Sequence, residues 1–312
     1  MRQPPYRSAP VGHQSTGYGH DVRIHLVDGT YELFRYHFSP GNRDPEFGAA
    51  RGVVHSMLQL VDDGATHIGV ATDQVVESFR NEMWPDYKTG DGVPPELMGQ
   101  FPLVEEALAA AGFCVWPMVH HEADDALGAA ARKAGDDPSV EQVLICTPDK
   151  DLAQCVTADG RIVQYDRRQQ KLIDYDGVVG KFGVAPESIP DYLALVGDTA
   201  DGFPGLPGWG ARSTATVLSH YRHLENIPDA VGQWEVSVRG SAKLAATLAK
   251  NRELALLFRR IATIDYTAPT FNHLHELAWT GPAAEFPDLM GQMSGEHLVE
   301  RAEKLKARIG RG

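Results

Sequence analysis

The stretch VRIHLVDGTYELFR, residues 22–35, places a carboxylate directly after a short apolar run. The run 22–27, with His25 inside it, has the length of a buried strand and stops at Asp28. Gly29 follows, and the next residues are typical of a helix. A carboxylate at the end of a buried strand is costly unless a partner offsets its desolvation. The stretch therefore predicts a strand–turn–helix unit, and it raises the question of what Asp28 binds.

Short apolar runs and helical patterns alternate through the first half of the chain. In chain order they are a helix at 48–62, a strand at 66–72, a helix at 95–111, a strand at 113–119, a helix at 122–134 and a strand at 141–147. This order, with nearly unbroken apolar strands, predicts an α/β fold with a mostly parallel central sheet flanked by helices. The run 161–166 and the charged residues after it predict an edge strand or a hairpin.

The chain divides into three regions by composition. Residues 1–20 are nearly free of aliphatic side chains, which predicts a disordered tail. The α/β pattern occupies 21–175, and the strands cease after about residue 176. The remainder, 176–312, is predicted to be helical, with a Gly/Pro-rich stretch at 202–210.

Composition limits the class of protein. The chain has 312 residues, 43% apolar and 23% charged, which is ordinary for a soluble globular protein. No apolar run approaches the ~18 residues of a membrane span, and the N-terminus lacks a signal-peptide core. Three cysteines without metal-type spacing predict reduced thiols and a cytoplasmic protein. The net charge of −13 argues weakly against a protein that coats nucleic-acid phosphates, but it allows an acidic pocket that holds cations.

Acidic residues follow the predicted strands at the points where the strands end. Ligands bind outside the carboxyl ends of the strands in open α/β sheets, so these acids are expected to converge. Four follow strands directly, three begin the helix after the third strand, and two come from the helical half: Asp28, Asp73, Asp149 and Asp151; Glu122, Asp124 and Asp125; Asp198 and Asp201.

Each acid alone has a simpler explanation. An acid after a strand is often a turn former or a helix N-cap, and acids in a first helical turn complement the helix dipole. Nine carboxylates at one edge, however, cannot all stay ionised without cations. Oxygen ligands without a His or Cys shell favour Mg²⁺ or Mn²⁺, and two such ions about 4 Å apart are the usual arrangement for attack on a phosphodiester. Asp28 is therefore predicted to be a metal ligand.

The ordered motifs match a known family. They are LVDGTYELFRYHF, ATDQVVESFRNEMWPDYK, EADD, TPDKD and GDTADGFPGLPGWGARSTA, and they extend from about residue 22 to about 225. With them the chain resembles the bacterial and phage 5'-3' exonucleases, the flap endonuclease-like group with a PIN-like core, which is similar to the N-terminal nuclease domain of bacterial DNA polymerase I. The resemblance implies a metal-dependent nuclease.

The resemblance implies two metal sites built from the nine acids. The first ion is expected toward Asp28, Asp73, Glu122 and Asp124. The second is expected toward Asp149, Asp151 and Asp201, with Asp125 near both ions and Asp198 beside them.

The Gly/Pro-rich stretch resembles the family's DNA-binding helix-turn-helix hairpin, at about 198–220. Gly205, Gly208 and Gly210 would let backbone amides approach a phosphate, at the positive end of the next helix. Arg212, where the family usually has lysine, and Ser213 are expected to contact DNA. The resemblance also implies a K⁺ ion at the hairpin.

The segment at about 80–100 resembles the family's helical arch. Arg80 and Lys88 would meet phosphates near the scissile bond, and Tyr87 would stack on a base. The chain departs from the family at Asp91, where an arginine is usual, and this acid is expected to repel an incoming strand. It also has Gly202 where an asparagine is usual.

The predicted function is a free-standing 5' nuclease that hydrolyses DNA at 5' ends, flaps or branched duplexes in replication or repair. It is expected to be monomeric and nucleoid-associated, with no membrane partner. Two alternatives are a structure-specific DNA-binding module without cleavage and a PIN-type ribonuclease. The complete set of acids argues against the first, and the hairpin and arch motifs argue against the second.

Overall fold

A six-stranded sheet forms the centre of the protein. The computed structural model describes residues 22–90 and 92–310; the predicted tail at 1–20 and Asp91 lie outside the described residues. The strands are β1 (Val22–Asp28), β2 (His67–Asp73), β3 (Cys114–Met118), β4 (Val140–Cys146), β5 (Ile162–Asp166) and β6 (Lys171–Ile173). Their spatial order is β3-β2-β1-β4-β5-β6, and all neighbours pair in parallel except β5 and β6.

This topology confirms the predicted mostly parallel sheet and the hairpin at its edge. β1 lies between β2 and β4, and its last residue, Asp28, pairs in register with Ala71. The strand order reverses direction around β1, so the crevice at the carboxyl ends of β1 and β4 is where a ligand site is expected.

Thirteen α-helices surround and extend this sheet in the described part of the chain. Seven precede or follow the strands: α1 (Gly29–His37), α2 (Gly48–Asp62), α3 (Arg80–Met83), α4 (Pro95–Met98), α5 (Gln100–Ala110), α6 (Ala123–Gly135) and α7 (Tyr175–Phe182). Six follow α7: α8 (Ile189–Val196), α9 (Ala211–Tyr221), α10 (Ser241–Lys250), α11 (Arg252–Ala262), α12 (Phe286–Gln292) and α13 (Glu296–Ile309). The predicted helical second half is thus confirmed.

Three hydrophobic clusters stabilise this arrangement. One face of the sheet packs on α1, α2 and α5. The other face packs on α6 and on residues 264–277. A separate cluster joins α8, α9 and α11 in the helical region. The same cluster includes Tyr87, Ala153 and Ile173 of the sheet-containing part, so the helical region packs directly against the α/β core.

The last two helices return to the sheet-containing unit. Phe286 and Met290 of α12 and Leu298 and Leu305 of α13 belong to the same apolar cluster as α2 and α5. Arg308 donates to Asp62 at the end of α2 over 2.7 Å. Sequence patterning had grouped all residues after 176 together, whereas the structure packs 286–309 on the α/β core.

The turn between β1 and α1 explains why glycine follows Asp28. A Cβ at Gly29 would lie 2.7 Å from Thr72 Cγ2 and 2.9 Å from the carbonyl oxygen of Ala71. Only glycine allows α1 to begin this close to β2, which fixes the position of the Asp28 side chain. Among the described residues, no helix combines the length and the apolar character needed to cross a membrane.

Candidate active site

A cleft of about 930 Å³ opens at the carboxyl ends of β1, β2 and β4. The α/β core contributes residues of α1, of the segment 76–93 and of the turn after β4. The helical region contributes Lys181, Phe182, Thr199, Ala200 and Gly202. Four of the nine predicted acids line it directly, and so does a neighbouring lysine: Asp28, Asp73, Asp124 and Asp149, with Lys150. The predicted convergence at this edge is therefore present.

Asp28 has both a structural and a site-facing role. Its Oδ1 accepts a hydrogen bond from the Tyr31 amide over 2.8 Å, so it caps α1. Its Oδ2 accepts from Thr147 Oγ1 over 3.0 Å. Asp73 likewise accepts from the Ala123 amide over 2.7 Å at the start of α6. Asp28 is thus both a helix N-cap and a cleft residue, and Asp73 is a cleft residue that also accepts from the first turn of α6.

One carboxylate triad is compact enough to hold a metal ion. Asp151, Asp198 and Asp201 each offer an oxygen, and these oxygens lie within 4.8 Å of one another. All three residues are buried, and Asp151 Oδ1 has no hydrogen-bond partner. An unpartnered buried carboxylate oxygen is costly, and a bound cation would satisfy it. The residues present therefore fit a hard divalent ion.

Asp198 is a member of this triad, and both of its oxygens also have protein partners. Lys150 Nζ lies 2.6 Å from Asp198 Oδ2, and the other oxygen accepts from the Ala200 amide over 3.0 Å. Among the described residues, no second group of three acids meets the same spacing.

Lys88 lies between the two halves of the site. Its Nζ is 3.0 Å from Glu122 Oε2 and 3.3 Å from Asp201 Oδ1, and its backbone amide donates to the Asp201 carbonyl over 3.2 Å. Burial opposes the charged form, but Tyr87 and these two carboxylates raise the pKa of Lys88 well above its usual value. The cleft therefore holds a permanent cation beside the acids.

Glu122 is occupied by protein donors. Its Oε1 accepts from Ser78 Oγ over 2.6 Å, and its Oε2 accepts from Tyr87 OH over 3.0 Å as well as from Lys88. Burial alone would raise its pKa, but Lys88 and Arg80 hold the pKa of Glu122 below its ordinary value. The Glu122 carboxylate therefore holds Lys88 in place, and its geometry does not support direct contact with a metal ion.

The structure gives Arg80 and Asp125 a role that the sequence did not predict. Arg80 is 2% exposed and forms two 2.7 Å hydrogen bonds to the two oxygens of Asp125. Arg80 Nε also donates to the Ile261 carbonyl over 2.7 Å. Asp125 further accepts from the amides of Glu122 and Asp265. Both oxygens of Asp125 and the guanidinium are thus satisfied inside the protein, which corrects the assignments of Asp125 as a metal ligand and Arg80 as a phosphate contact.

Tyr87 is also buried, with 2% of its surface exposed. Its ring belongs to the apolar cluster of the helical region, and its hydroxyl donates to Glu122. No ring face is available to a nucleobase, so the predicted stacking role is corrected as well. Within the predicted arch at 80–100, the described residues include the one-turn helices α3 and α4. The expectation for Asp91 falls outside the described residues.

Crowding of the acids makes several of them hard to ionise in the absence of metal. Burial is the largest cause, and neighbouring carboxylates add to it. Together they raise the pKa of Asp28 to about 7 and that of Asp201 to about 6. The pKa values of Asp124 and Asp151 are raised well above their ordinary values for the same two reasons. These acids therefore favour either a bound proton or a bound cation.

This crowding predicts a pH-dependent stability of the metal-free protein. Because the pKa of Asp28 rises from 3.8 to about 7 on folding, its contribution is complete below pH 4 and is lost as the pH rises through 7. Asp28→Asn retains an oxygen that can cap α1 but cannot ionise. In EDTA we expect this variant to gain about 4 kcal/mol of unfolding free energy relative to wild type between pH 4 and pH 8.

Urea unfolding at both pH values measures this gain. Asp288→Asn, at an exposed position in α12, is the matched control and should show no pH-dependent difference. A stability difference for Asp28→Asn that is equal at pH 4 and pH 8 would contradict the electrostatic account.

The hairpin connects α8 to α9, and its glycines differ in role. Gly205 is buried with φ +67°, and a Cβ there would lie 2.4 Å from the Gly197 nitrogen, so it serves packing inside the turn. Gly208 is exposed with φ +87°, and Gly210 is the exposed N-cap of α9. The predicted phosphate contact remains open to Gly208 and Gly210, whereas the buried Gly205 is poorly placed for it.

The residues near the start of α9 differ in exposure. Arg212 is exposed in the first turn. Ser213 Oγ accepts from the Gly210 amide over 3.2 Å and donates to the Gly210 carbonyl over 3.0 Å, which ties the first turn of α9 to its N-cap residue. Trp209 is buried beside Trp234, with ring centroids 6.1 Å apart.

Sequence reasoning missed the hydroxyl groups that position the acids. Thr147 donates to Asp28, and Thr30 Oγ1 accepts from the Asp73 amide over 2.8 Å. Each lies within two residues of a predicted ligand, so small hydroxyl residues next to the acid motifs were the available signal.

Comparison with known proteins places this fold and site in a family. A family model described as "5'-3' exonuclease, N-terminal resolvase-like domain" matches residues 23–183, and one described as "5'-3' exonuclease, C-terminal SAM fold" matches 184–285. These ranges cover more than half of the chain. The chain belongs to the 5'-3' exonuclease family.

Individual relatives agree with this placement. DNA polymerase I of Pseudomonas aeruginosa is 35% identical over 255 residues, covering 77% of this chain and 27% of the relative. DNA polymerase I of Bacillus caldotenax is 30% identical over 293 residues, covering 90% of this chain. The chain spans only 32% of the length of that relative.

Two solved structures share the fold. The T5 D15 protein co-crystallised with metal ions superposes with a TM-score of 0.63 at 18% identity, covering 91% of this chain and 98% of the other. The catalytic core of Rad2 in complex with DNA substrate gives 0.60 at 17% identity, covering 91% and 92%.

Proposed function

We propose that this chain is a divalent-metal-dependent 5' nuclease that hydrolyses phosphodiester bonds in DNA at 5' ends and short flaps. The observation that supports this most strongly is the buried triad of Asp151, Asp198 and Asp201, which has an unpartnered oxygen and is joined to the cleft by ion pairs to the lining residues Lys88 and Lys150. Family membership and the DNA complexes among the structural neighbours agree with it.

The acids of the cleft would hold two Mg²⁺ or Mn²⁺ ions. One ion would be bound by the triad, and the other would lie toward Asp28, Asp73, Asp124 and Asp149. Such ions supply a water of lowered pKa and stabilise the leaving oxygen of an in-line displacement. No side chain need then act as a classical general base.

Lys88 is proposed to orient the scissile phosphate. Its ammonium is fixed from two sides by Glu122 and Asp201, so it is presented to the cleft with little freedom. A preorganised cation of this kind stabilises charge that develops in the transition state. Glu122 then acts on the reaction through the position of Lys88.

The hairpin is proposed as the grip on duplex DNA. The exposed amides and Arg212 at the positive end of α9 can bind backbone phosphates, and hairpin carbonyls could hold the predicted K⁺. We infer that the protein acts as a monomer on nucleoid DNA.

Damage to the hairpin should weaken binding without sequence preference. Gly208→Val adds a branched side chain at an exposed residue with φ +87°. We expect the affinity for duplex DNA in Ca²⁺ to be about tenfold weaker on every sequence tested. Phosphate contacts position the protein on the duplex but do not read its base sequence. Gly160→Val is the matched control, since Gly160 has φ +73° with open space around it at the turn before β5. Equal affinities of the two variants would show that this turn does not grip the duplex.

A substrate panel separates the proposed function from its alternatives. Labelled flap DNA, blunt duplex, single-stranded DNA and RNA are incubated with Mn²⁺, with and without EDTA. Metal-dependent release of short products from the 5' end of DNA supports the proposal. Binding of flap DNA without cleavage would indicate a DNA-binding module, and preferential cleavage of RNA would indicate a ribonuclease.

A further inference from the structure

One wall of the cleft carries side chains that have no part in the proposed metal and phosphate contacts. Lys181 and Phe182, the last two residues of α7, line the same cleft as Asp28 and Lys88. Lys181 is exposed and Phe182 is half-buried. Neither residue was among the predicted site residues.

Lys181 differs from the other two lysines that line the cleft. Lys88 and Lys150 each lie within 3.3 Å of a carboxylate oxygen. Among the described residues, no carboxylate lies within 4.0 Å of Lys181, and its Nζ lies 4.9 Å from the centroid of the Phe182 ring. Lys181 is thus the lining cation whose charge remains available to an anionic ligand.

Phe182 packs on one aromatic ring of α8 and stays partly accessible. Its ring packs on Tyr192 in a T-shaped arrangement with centroids 5.8 Å apart. That contact fixes the ring on α8, while the half-buried side chain still faces the cleft. A cation beside an accessible aromatic ring is the combination that binds a single strand through a phosphate and a base.

The end of α7 is also attached to the hairpin helix. Gly183 ends α7 with φ 74°, and a Cβ there would lie 2.8 Å from the Cβ of Ala215 in α9. This close approach requires glycine and sets the distance between the Lys181–Phe182 wall and the proposed duplex grip.

From these contacts we propose that Lys181 and Phe182 bind the single-stranded 5' portion of the DNA substrate, Lys181 through a phosphate and Phe182 by stacking on a base. The inference rests on the proposed function, because it assigns the strand-binding wall of that same cleft. It predicts that the pair sets preference for substrates with an unpaired 5' end.

The test measures binding under conditions that do not depend on cleavage. Anisotropy of a labelled 5'-flap duplex and a blunt duplex is followed in Ca²⁺ over a salt series for wild type, Lys181→Gln and Phe182→Leu. Lys250→Gln is the matched control, because Lys250 is an exposed lysine in the last turn of α10. Melting temperatures verify that each variant is folded.

We expect Lys181→Gln to lower the log–log salt slope for flap DNA by about 0.7, so that its binding deficit shrinks about threefold between 50 and 200 mM salt. Phe182→Leu should weaken flap binding about tenfold and change blunt-duplex binding little. Lys250→Gln should match wild type.

Two results would overturn the inference in distinguishable ways. If Lys181→Gln and Phe182→Leu bind flap DNA as Lys250→Gln does, the wall does not contact the strand, and the proposed nuclease function is unaffected. If wild type binds neither DNA, the proposed function fails and this inference fails with it.

Discussion

Replacing Asp151 with asparagine should remove most of the nuclease activity, by at least about a hundredfold in the rate of single-turnover cleavage. Asp151 supplies the unpartnered oxygen of the buried triad, and an amide there can neither bind a divalent ion as strongly nor balance its charge. The fold should be retained, because the change removes a crowded negative charge whose pKa burial already raises. The metal-free variant should melt at or above the wild-type temperature at pH 8.

Asp288→Asn again provides the control, since this exposed aspartate of α12 lies outside the cleft. Quenched-flow cleavage of a labelled flap in saturating Mn²⁺ gives the rates, and calorimetry gives the melting temperatures. A near-wild-type rate for Asp151→Asn would defeat the assignment of the triad. Loss of activity together with a large drop in melting temperature would show that Asp151 is needed for folding instead.

Arg80→Met should be one of the most destabilising single changes outside the apolar cores. It would leave the carboxylate of Asp125 buried without its bidentate partner, a change that costs about 3–5 kcal/mol. It would also remove the links from α3 to the carbonyls of Ile261 and Thr263. Asp125→Asn in the same chain should recover part of the loss, because the uncompensated charge is then absent.

Chemical unfolding of wild type, both single variants and the double variant measures this coupling. The expected sign is that the double variant is more stable than Arg80→Met. If Arg80→Met instead unfolds like wild type and lowers the salt slope of DNA binding, Arg80 reaches the DNA phosphates as the family resemblance implied, and the buried pair is not its main role.

Most of the fold could be predicted from the sequence, because most strands and turns are determined by the residues within them. The run before Asp28 became the strand Val22–Asp28, since its residues are buried on both faces of a parallel sheet. The charged stretch after residue 166 became the turn of a hairpin at the sheet edge. The return of α12 and α13 to the α/β core had no such local signal, because their apolar stripes would fit either unit.

The site was predictable as a location and less so as a set of contacts. Topology brings strand ends together, so Asp28, Asp73 and Asp149 could be placed at one edge from the chain order alone. The choice of partner for Arg80 depends on Asp125, 45 residues away, and on Ile261, 181 residues away. The sequence motif that contains Arg80 fits a buried ion pair as well as a phosphate contact, and only the packing distinguishes them.

The most direct test of the account is the metal dependence of cleavage at a defined 5' end. A 5'-flap substrate labelled at its 5' end is incubated with the chelated protein, and product release is measured as Mn²⁺ is titrated, for wild type and Asp151→Asn. The account predicts no release in EDTA, saturable release of short 5' products by wild type, and a loss of at least about a hundredfold in the variant. Release of the same products by wild type in EDTA, or no release from any 5' end at saturating Mn²⁺, would contradict it.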